Sequence, residues 1–409
     1  MKNLKDTKDA KNGAWEIKKL GEVCKYDKNQ NIHKDLPYVG LEHIESNTGM
    51  FLGSLEPQEV KSSTFYFTDE HVLYGRLRPY LNKVLLPDFK GHCSTEIFPI
   101  KVKKDIIRKF LFYWLIAETT VKKIDATWTG ARMPRANMNQ VLEFDFAFPS
   151  LPEQRRIVYI LDEYFSAIDK AKANAEQNLK NAKELFESYL QGVFGSAGSP
   201  TENGDGWEEK KLGELGTTQT GTTPKTAEKE NYGNFIPFIK PADVDFLSIG
   251  DLRYNNEGLS EIGLKKGRKM ENGSILMVCI GATIGKVGFA KQEVSCNQQI
   301  NTLTLNKKFE PKFFYYAMRS KKFQEKVLLE GKGAQTTLPI INKSKWENLT
   351  ISFPKSKNEQ QTIVHQFDAL RAETQKLETI YQKKITNLEE LKKSILQKAF
   401  AGELTETTI

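Results

Sequence analysis

The feature that most constrains this chain is that it contains the same unit twice. WEIKKLGEV begins at Trp15, and WEEKKLGEL begins at Trp207. VLYGRLRPYLNKV (Val72 to Val84) aligns with ILMVCIGATIGKV (Ile275 to Val287), and GHCSTEI ending at Ile97 aligns with VSCNQQI ending at Ile300. Further on, PEQRRIV is answered by NEQQTIV, and LFESYLQGVF by LKKSILQKAF. The order of the blocks never changes. A period of about two hundred residues is far too long for a solenoid repeat, so the chain should fold as two copies of a domain, each followed by a helix.

The helices are legible from spacing. From Pro152 to Phe194, apolar or small residues recur at alternating intervals of four and three: Ile157, Leu161, Tyr164, Ile168, Ala171, Ala175, Asn178, Ala182, Leu185 and Tyr189. That is a heptad seam seeking a partner. Ile363, Phe367, Leu370, Thr374, Leu377, Tyr381, Leu388, Leu391 and Ile395 keep the same rhythm, interrupted by Lys384. A helix of about forty residues is much longer than an ordinary globular one, which favours antiparallel pairing of the two within the chain. The expected division is a first globular domain over 1–151, a spacer helix over 152–195, a linker and second domain over 196–357, a second spacer helix over 358–402 and a tail over 403–409.

Each globular copy reads as α+β. Runs such as SILMVCI, GKVGFA and INTLTLN alternate with Gly and Asn, as strands and turns require. A helix follows, with Phe110, Tyr113, Trp114, Ala117, Val121 and Ile124 on one face in the first copy and Phe313, Ala317 and Val327 at matching places in the second. Proline-containing stretches, FPSLPEQ and FPKSKNEQ, lead into the long helices, and GSAGSPTENGDG reads as a flexible connector. The formal charge of +8 permits nucleic-acid binding without requiring it. Four cysteines without CxxC spacing and an N-terminus without an apolar core point to a reduced, cytoplasmic protein, and no apolar run is long enough for a membrane helix.

No catalytic constellation emerges. GATIGKV (Gly281 to Val287) has three residues between its glycines where a P-loop needs four, and Val287 stands where the magnesium-binding Ser or Thr should be. There is no GxGxxG fingerprint, no HExxH pair and no NPPY-like strand end. His92-Cys93 could be a base and nucleophile, but the copy places Cys296 without a preceding histidine, which favours a buried small residue.

The basic residues are more informative. Arg76, Arg78 and Lys83 crowd the LYGRLRPYLNKV turn, and Arg132 and Arg135 lie in WTGARMPR. The second copy has Lys286, Lys332 in KGKGAQ, and Lys240 in FIPFIKPAD. Arginine can fork onto guanine and lysine can meet phosphate, so basic loops at repeat-equivalent places have the vocabulary for reading duplex DNA. Helices of about forty residues would span roughly 60 Å, which suggests two readers and two half-sites separated by an unread gap.

TGTTPKTAEKENYGNFIPFIKPAD, IGATIGKVGFA with CNQQI, GRLRPYLNKV with CSTE, and the helix entries LPEQRRIV and NEQQTIV together make the chain resemble the specificity subunit of type I restriction-modification systems. The resemblance covers essentially the whole chain. It implies two target recognition domains reading a bipartite DNA site, separated by two long antiparallel coiled-coil helices. It also implies two modification subunits that methylate adenine with S-adenosylmethionine, and restriction subunits that use ATP and magnesium. Those cofactors belong to the partners, and the subunit itself is expected to be non-catalytic. The specificity subunit of a type IIB system shares this architecture, and a structural coiled-coil adaptor is the remaining alternative.

Overall fold

The computed structural model describes residues 15–130, 132–196, 206–244, 252–331 and 339–404. The connector after the first long helix and the loop containing Lys332 lie outside them. The chain divides into two compact units, Met1–Glu176 with Gln382–Ile409, and Gln177–Tyr381. The long helices are Leu151–Gln191 and Lys357–Phe400. Each therefore starts in one unit and ends in the other.

The two units are built alike. In the first, strand Glu16–Lys19 pairs antiparallel with Asp145–Phe148, fastening the chain's early segment to the strand that leads into the long helix. In the second, Trp207–Lys211 does the same with Thr350–Pro354. A four-stranded antiparallel sheet follows in each. Its order is Cys24–Tyr26, Ile97–Val102, His71–Gly75, Val84–Leu85 in the first, and Gly216–Thr220, Ile300–Leu305, Ile275–Val278, Val287–Phe289 in the second. The central strands His71–Gly75 and Ile275–Val278 are buried throughout, so they read as continuous rather than alternating apolar runs. A parallel pairing also recurs, Tyr38–Val39 with Gly91–Cys93 and Phe238–Ile239 with Ser295–Cys296. These sheets and the helices beside them make each unit α+β.

The helix expected after the sheet is broken in two in both units. Arg108–Ile116 is followed by Glu118–Asp125, and Pro311–Arg319 by Lys321–Gly331. Ala117 and Ser320 at the breaks take extended backbone. From Phe110 to Ile116 every side chain is buried, so this segment is covered on all sides rather than along one stripe, and half-buried Val121 belongs to the second piece. Ser320 shows how the chain restarts: its Oγ accepts the Phe323 N–H at 3.3 Å, the bond a helix cap supplies.

Two glutamines explain the shared helix-entry motif. Gln154 is fully buried: its Oε1 accepts the Ile107 N–H at 2.9 Å, and its Nε2 donates to the carbonyls of Asp105 and Pro149, each at 2.9 Å. Gln360 repeats this with the Glu310 N–H at 2.9 Å and the Pro354 carbonyl at 2.8 Å. One helical turn or two further on, Asp162 accepts from Lys109 Nζ at 2.8 Å and from the Tyr113 hydroxyl. Asp368 accepts from Lys312 Nζ and the Tyr316 hydroxyl, both at 2.6 Å. Burial first, and then the facing carboxylate, push both tyrosine hydroxyls well above their ordinary pKa. Each long helix thus leaves its globular unit at a fixed angle set by buried hydrogen bonds.

The helices pack antiparallel within each unit. In the first, Lys172 bonds Glu389 at 2.7 Å and Lys392 bonds Asp169 at 3.0 Å while lying over the Phe165 ring. In the second, the Tyr189 hydroxyl donates to Gln366 at 3.0 Å, and Phe367 is enclosed by Phe186, Tyr189, Phe194 and Tyr316. Of the expected seam, Ile157, Leu161, Ile168, Ala175, Phe367 and Ile395 are buried; Ala171, Ile363, Leu377, Tyr381 and Leu388 are half-buried. Leu185 is a correction: it is 48% exposed, and Phe186 beside it is buried. A straight helix drifts by about 20° per heptad from a strict seven-residue repeat. Over roughly four heptads the buried stripe therefore moves by nearly one residue. Ile385, buried next to exposed Lys384, restores the seam in the second helix in the same way.

Candidate nucleic-acid interface

In the first unit, two loops distant in sequence are joined into one surface. After strand His71–Gly75 the chain turns through a short 3-10 helix, Pro79–Leu81, flanked by Arg78 and Asn82. The second loop carries Trp128 to Arg135. Arg78 N–H donates to the Pro134 carbonyl at 2.8 Å, and Ala136 N–H donates to the Arg76 carbonyl at 2.9 Å. Between the loops sits Glu96, which takes Arg76 Nε at 2.9 Å and Arg135 Nη2 at 2.9 Å. Burial alone would raise the Glu96 carboxyl, but hydrogen bonds from the two guanidiniums outweigh it and hold the group below the usual carboxylate range.

This clasp sorts the basic residues. Arg76 and Arg135 are oriented by Glu96, whereas Arg78 and Arg132 are exposed and have no carboxylate partner among the described residues. Tyr80, Trp128 and Met133 stand exposed beside them. Guanidiniums interleaved with exposed aromatic rings suit phosphate contact, base-edge contact and stacking. Lys83 has a different duty: its Nζ donates to the carbonyls of Leu41 at 2.6 Å and Ile44 at 2.8 Å, so it ties the turn to a neighbouring loop. The adjacent Glu96, Tyr80 and Trp128 were not singled out by residue type, although CSTE and WTGARMPR contain two of them.

The second unit uses the same backbone frame with other side chains. Gly281 N–H donates to the Pro339 carbonyl at 3.1 Å and Ile341 N–H to the Cys279 carbonyl at 2.8 Å, the counterparts of the Arg78 and Ala136 bonds. Cys279 N–H donates to the Gln299 carbonyl at 2.8 Å where Arg76 N–H meets that of Glu96 at 2.9 Å. With a buried cysteine in place of Arg76, no carboxylate is needed, and Gln299 stands where Glu96 does. Lys240 is paired with Glu257 and lies over the Phe238 ring; Lys286 is half-buried, and no bond joins the two among the described residues.

Arg78 has a further peculiarity. Its φ is +51°, and that of Asn82 is +46°; the second unit has Gly281 at +103° and Gly285 at +90° in these places. Left-handed backbone costs a non-glycine residue about 1–2 kcal/mol. Arg78→Gly is therefore expected to raise the unfolding free energy slightly, by up to about 1 kcal/mol, while removing an exposed guanidinium. Denaturant melts and DNA binding measured on the same protein should move in opposite directions.

A family model described as "Type I restriction modification DNA specificity domain" matches residues 12–180 and 204–387. The chain belongs to this DNA specificity family. The specificity chain is 27% identical over 186 residues to the type I restriction enzyme EcoDI specificity subunit of Escherichia coli; the match takes in 45% of this chain and spans only 41% of that relative's length. Among solved structures, it resembles a chain from a study of complex assembly and conformational transition of the type I R-M system, with a TM-score of 0.77 and 23% identity, covering 96% of this chain and 98% of that one. The HsdS subunit from Thermoanaerobacter tengcongensis gives a TM-score of 0.62 and 22% identity, covering 96% and 97%. Those two likenesses are of fold.

A specificity subunit is the non-catalytic component of its system. In this specificity chain the His92-Cys93 pair is part of the core. Cys93 is fully buried and burial pushes its thiol far upward, while His92 bonds Thr64 Oγ1 at 2.9 Å and the Gln58 carbonyl at 3.0 Å. Among the described residues no cluster of His, Cys, Asp and Glu could hold a metal, and no helix is long and apolar enough to cross a membrane.

Proposed function

We propose that the chain reads a bipartite DNA target, one half-site per unit, and directs modification and restriction subunits of a type I system to it in the cytoplasm. The observation that carries this reading is the pair of loop frames with equivalent hydrogen bonds and different side chains. A shared frame gives both units the same way of approaching a duplex. Different residues on it, Arg76, Arg78, Glu96 and Arg135 against Cys279, Gly281 and Gln299, give them different targets. Arg132, Arg135, Lys240, Lys286 and Lys332 complete the proposed contacts, and the spacer helices set the unread gap. The modification subunits supply S-adenosylmethionine chemistry and the restriction subunits ATP and magnesium. A type IIB arrangement would instead pair the chain with one partner that both cuts and methylates.

Methylation mapping in a host carrying this chain and its modification subunit tests the proposal. One bipartite motif with methylated adenine is expected, and Arg78→Ala should alter one half only. Absence of any bipartite motif, or equal loss at both halves, would contradict it.

A further inference from the structure

The closing segments of the two long helices can be compared position by position. Where their residues meet the rest of the fold, many have diverged. Phe186 packs against Phe367 and Tyr316, whereas Lys392, its counterpart, bonds Asp169 and covers Phe165. Lys183 is answered by Glu389, which bonds Lys172. Tyr189, bonded to Gln366, is answered by Ile395 in the core.

The outward face behaves oppositely. Asn181, Glu184, Leu185 and Ser188 in one helix match Asn387, Glu390, Leu391 and Ser394 in the other, residue for residue. All eight are exposed. Their spacing of i, i+3, i+4 and i+7 puts each quartet on one helical face. The two leucines are equally bare, 48% and 47% exposed. Contacts of these quartets within the chain are confined to Asn181, which accepts from Gln177 one turn away, and Glu184, which lies 3.8 Å from Lys180, so internal packing does not account for their identity.

We propose that the two quartets are equivalent docking faces for two copies of one protein partner. Each copy would offer an apolar socket to the leucine, hydrogen-bonding groups to Asn and Ser, and a cation to the glutamate. Identical faces argue for a single partner surface used twice; two different partners would not require the same four residues. Resting on the reading above, the occupant is the modification subunit, and the face it grips is the one centred on Leu185 and Leu391.

The test is the mass of the complex formed by the full chain and its modification subunit, measured by light scattering without DNA. The native chain should bind two copies. Leu185→Asp or Leu391→Asp should weaken one of the two binding events by at least about tenfold, leaving one copy bound, and the double variant should bind none. Leu185→Met should behave as native, and unchanged circular dichroism of the single variants would show that the helices persist. Retention of two copies by both single variants overturns the proposal. So does self-association of the chain abolished by the same substitutions, which would make the occupant a second copy of this protein. Loss of bipartite DNA preference with the stoichiometry behaving as expected would defeat the recognition reading and leave the docking faces standing.

Discussion

Phe367→Ala is expected to destabilise the second unit by about 3–5 kcal/mol, the range for deleting a large buried aromatic side chain. Phe367 is fully buried, with ring centroids of Tyr316 at 4.7 Å, Tyr189 at 5.3 Å, Phe194 at 5.7 Å and Phe186 at 5.9 Å. Those rings come from three sequence regions: the end of the first long helix, the helix after the sheet, and the second long helix itself. Filling the void requires all three to move together, and the helix entries pinned by Gln360 and Asp368 oppose that. Thermal or denaturant unfolding should show an early transition, and Phe367→Leu should recover much of the loss. A change below about 1 kcal/mol would mean that the cluster readily collapses into the space.

Gln154→Ala should have a comparable effect through hydrogen bonding, costing roughly 2–5 kcal/mol. Its side chain satisfies one backbone N–H and two backbone carbonyls in a site without solvent exposure. Leaving a buried polar group unpaired costs about 1–3 kcal/mol, and water entering the vacated space offsets part of the total. Gln154→Glu should be no better, because the carboxylate keeps the acceptor but loses both donations and buries a charge. Amide exchange offers a local readout: the Ile107 N–H should lose protection in the alanine variant. Retained protection there would show that the helix entry is held by the Asp162 bonds instead.

Both predictions rest on residues whose importance has different visibility. Gln154 and Gln360 sit in a motif that the repeat displays openly, yet their partners, Asp105, Ile107 and Glu310, are about fifty positions away and carry no signal of their own, being backbone groups. The same holds at the proposed interface. Arg76, Arg78, Arg132 and Arg135 were legible as basic residues in punctuated loops. That Glu96 holds Arg76 and Arg135 together, and that Lys83 turns inward onto two carbonyls, depends on contacts between loops. Residue type tells which groups can meet a phosphate or a base, but burial and pairing decide which are presented.

The sequence by itself determined the duplication, the α+β character of each copy, the two long helices and the family, because these follow from recurrence and periodicity along one dimension. Tertiary structure alone decided the phase of the helix seam, with Phe186 inside and Leu185 outside. The physical reason is the gap between about 3.6 residues per turn and a 3.5-residue pattern, which accumulates along the helix until packing selects the neighbouring residue. It also decided that Arg78 occupies left-handed backbone where its counterpart is Gly281, since the turn is imposed by bonds to a loop far along the chain.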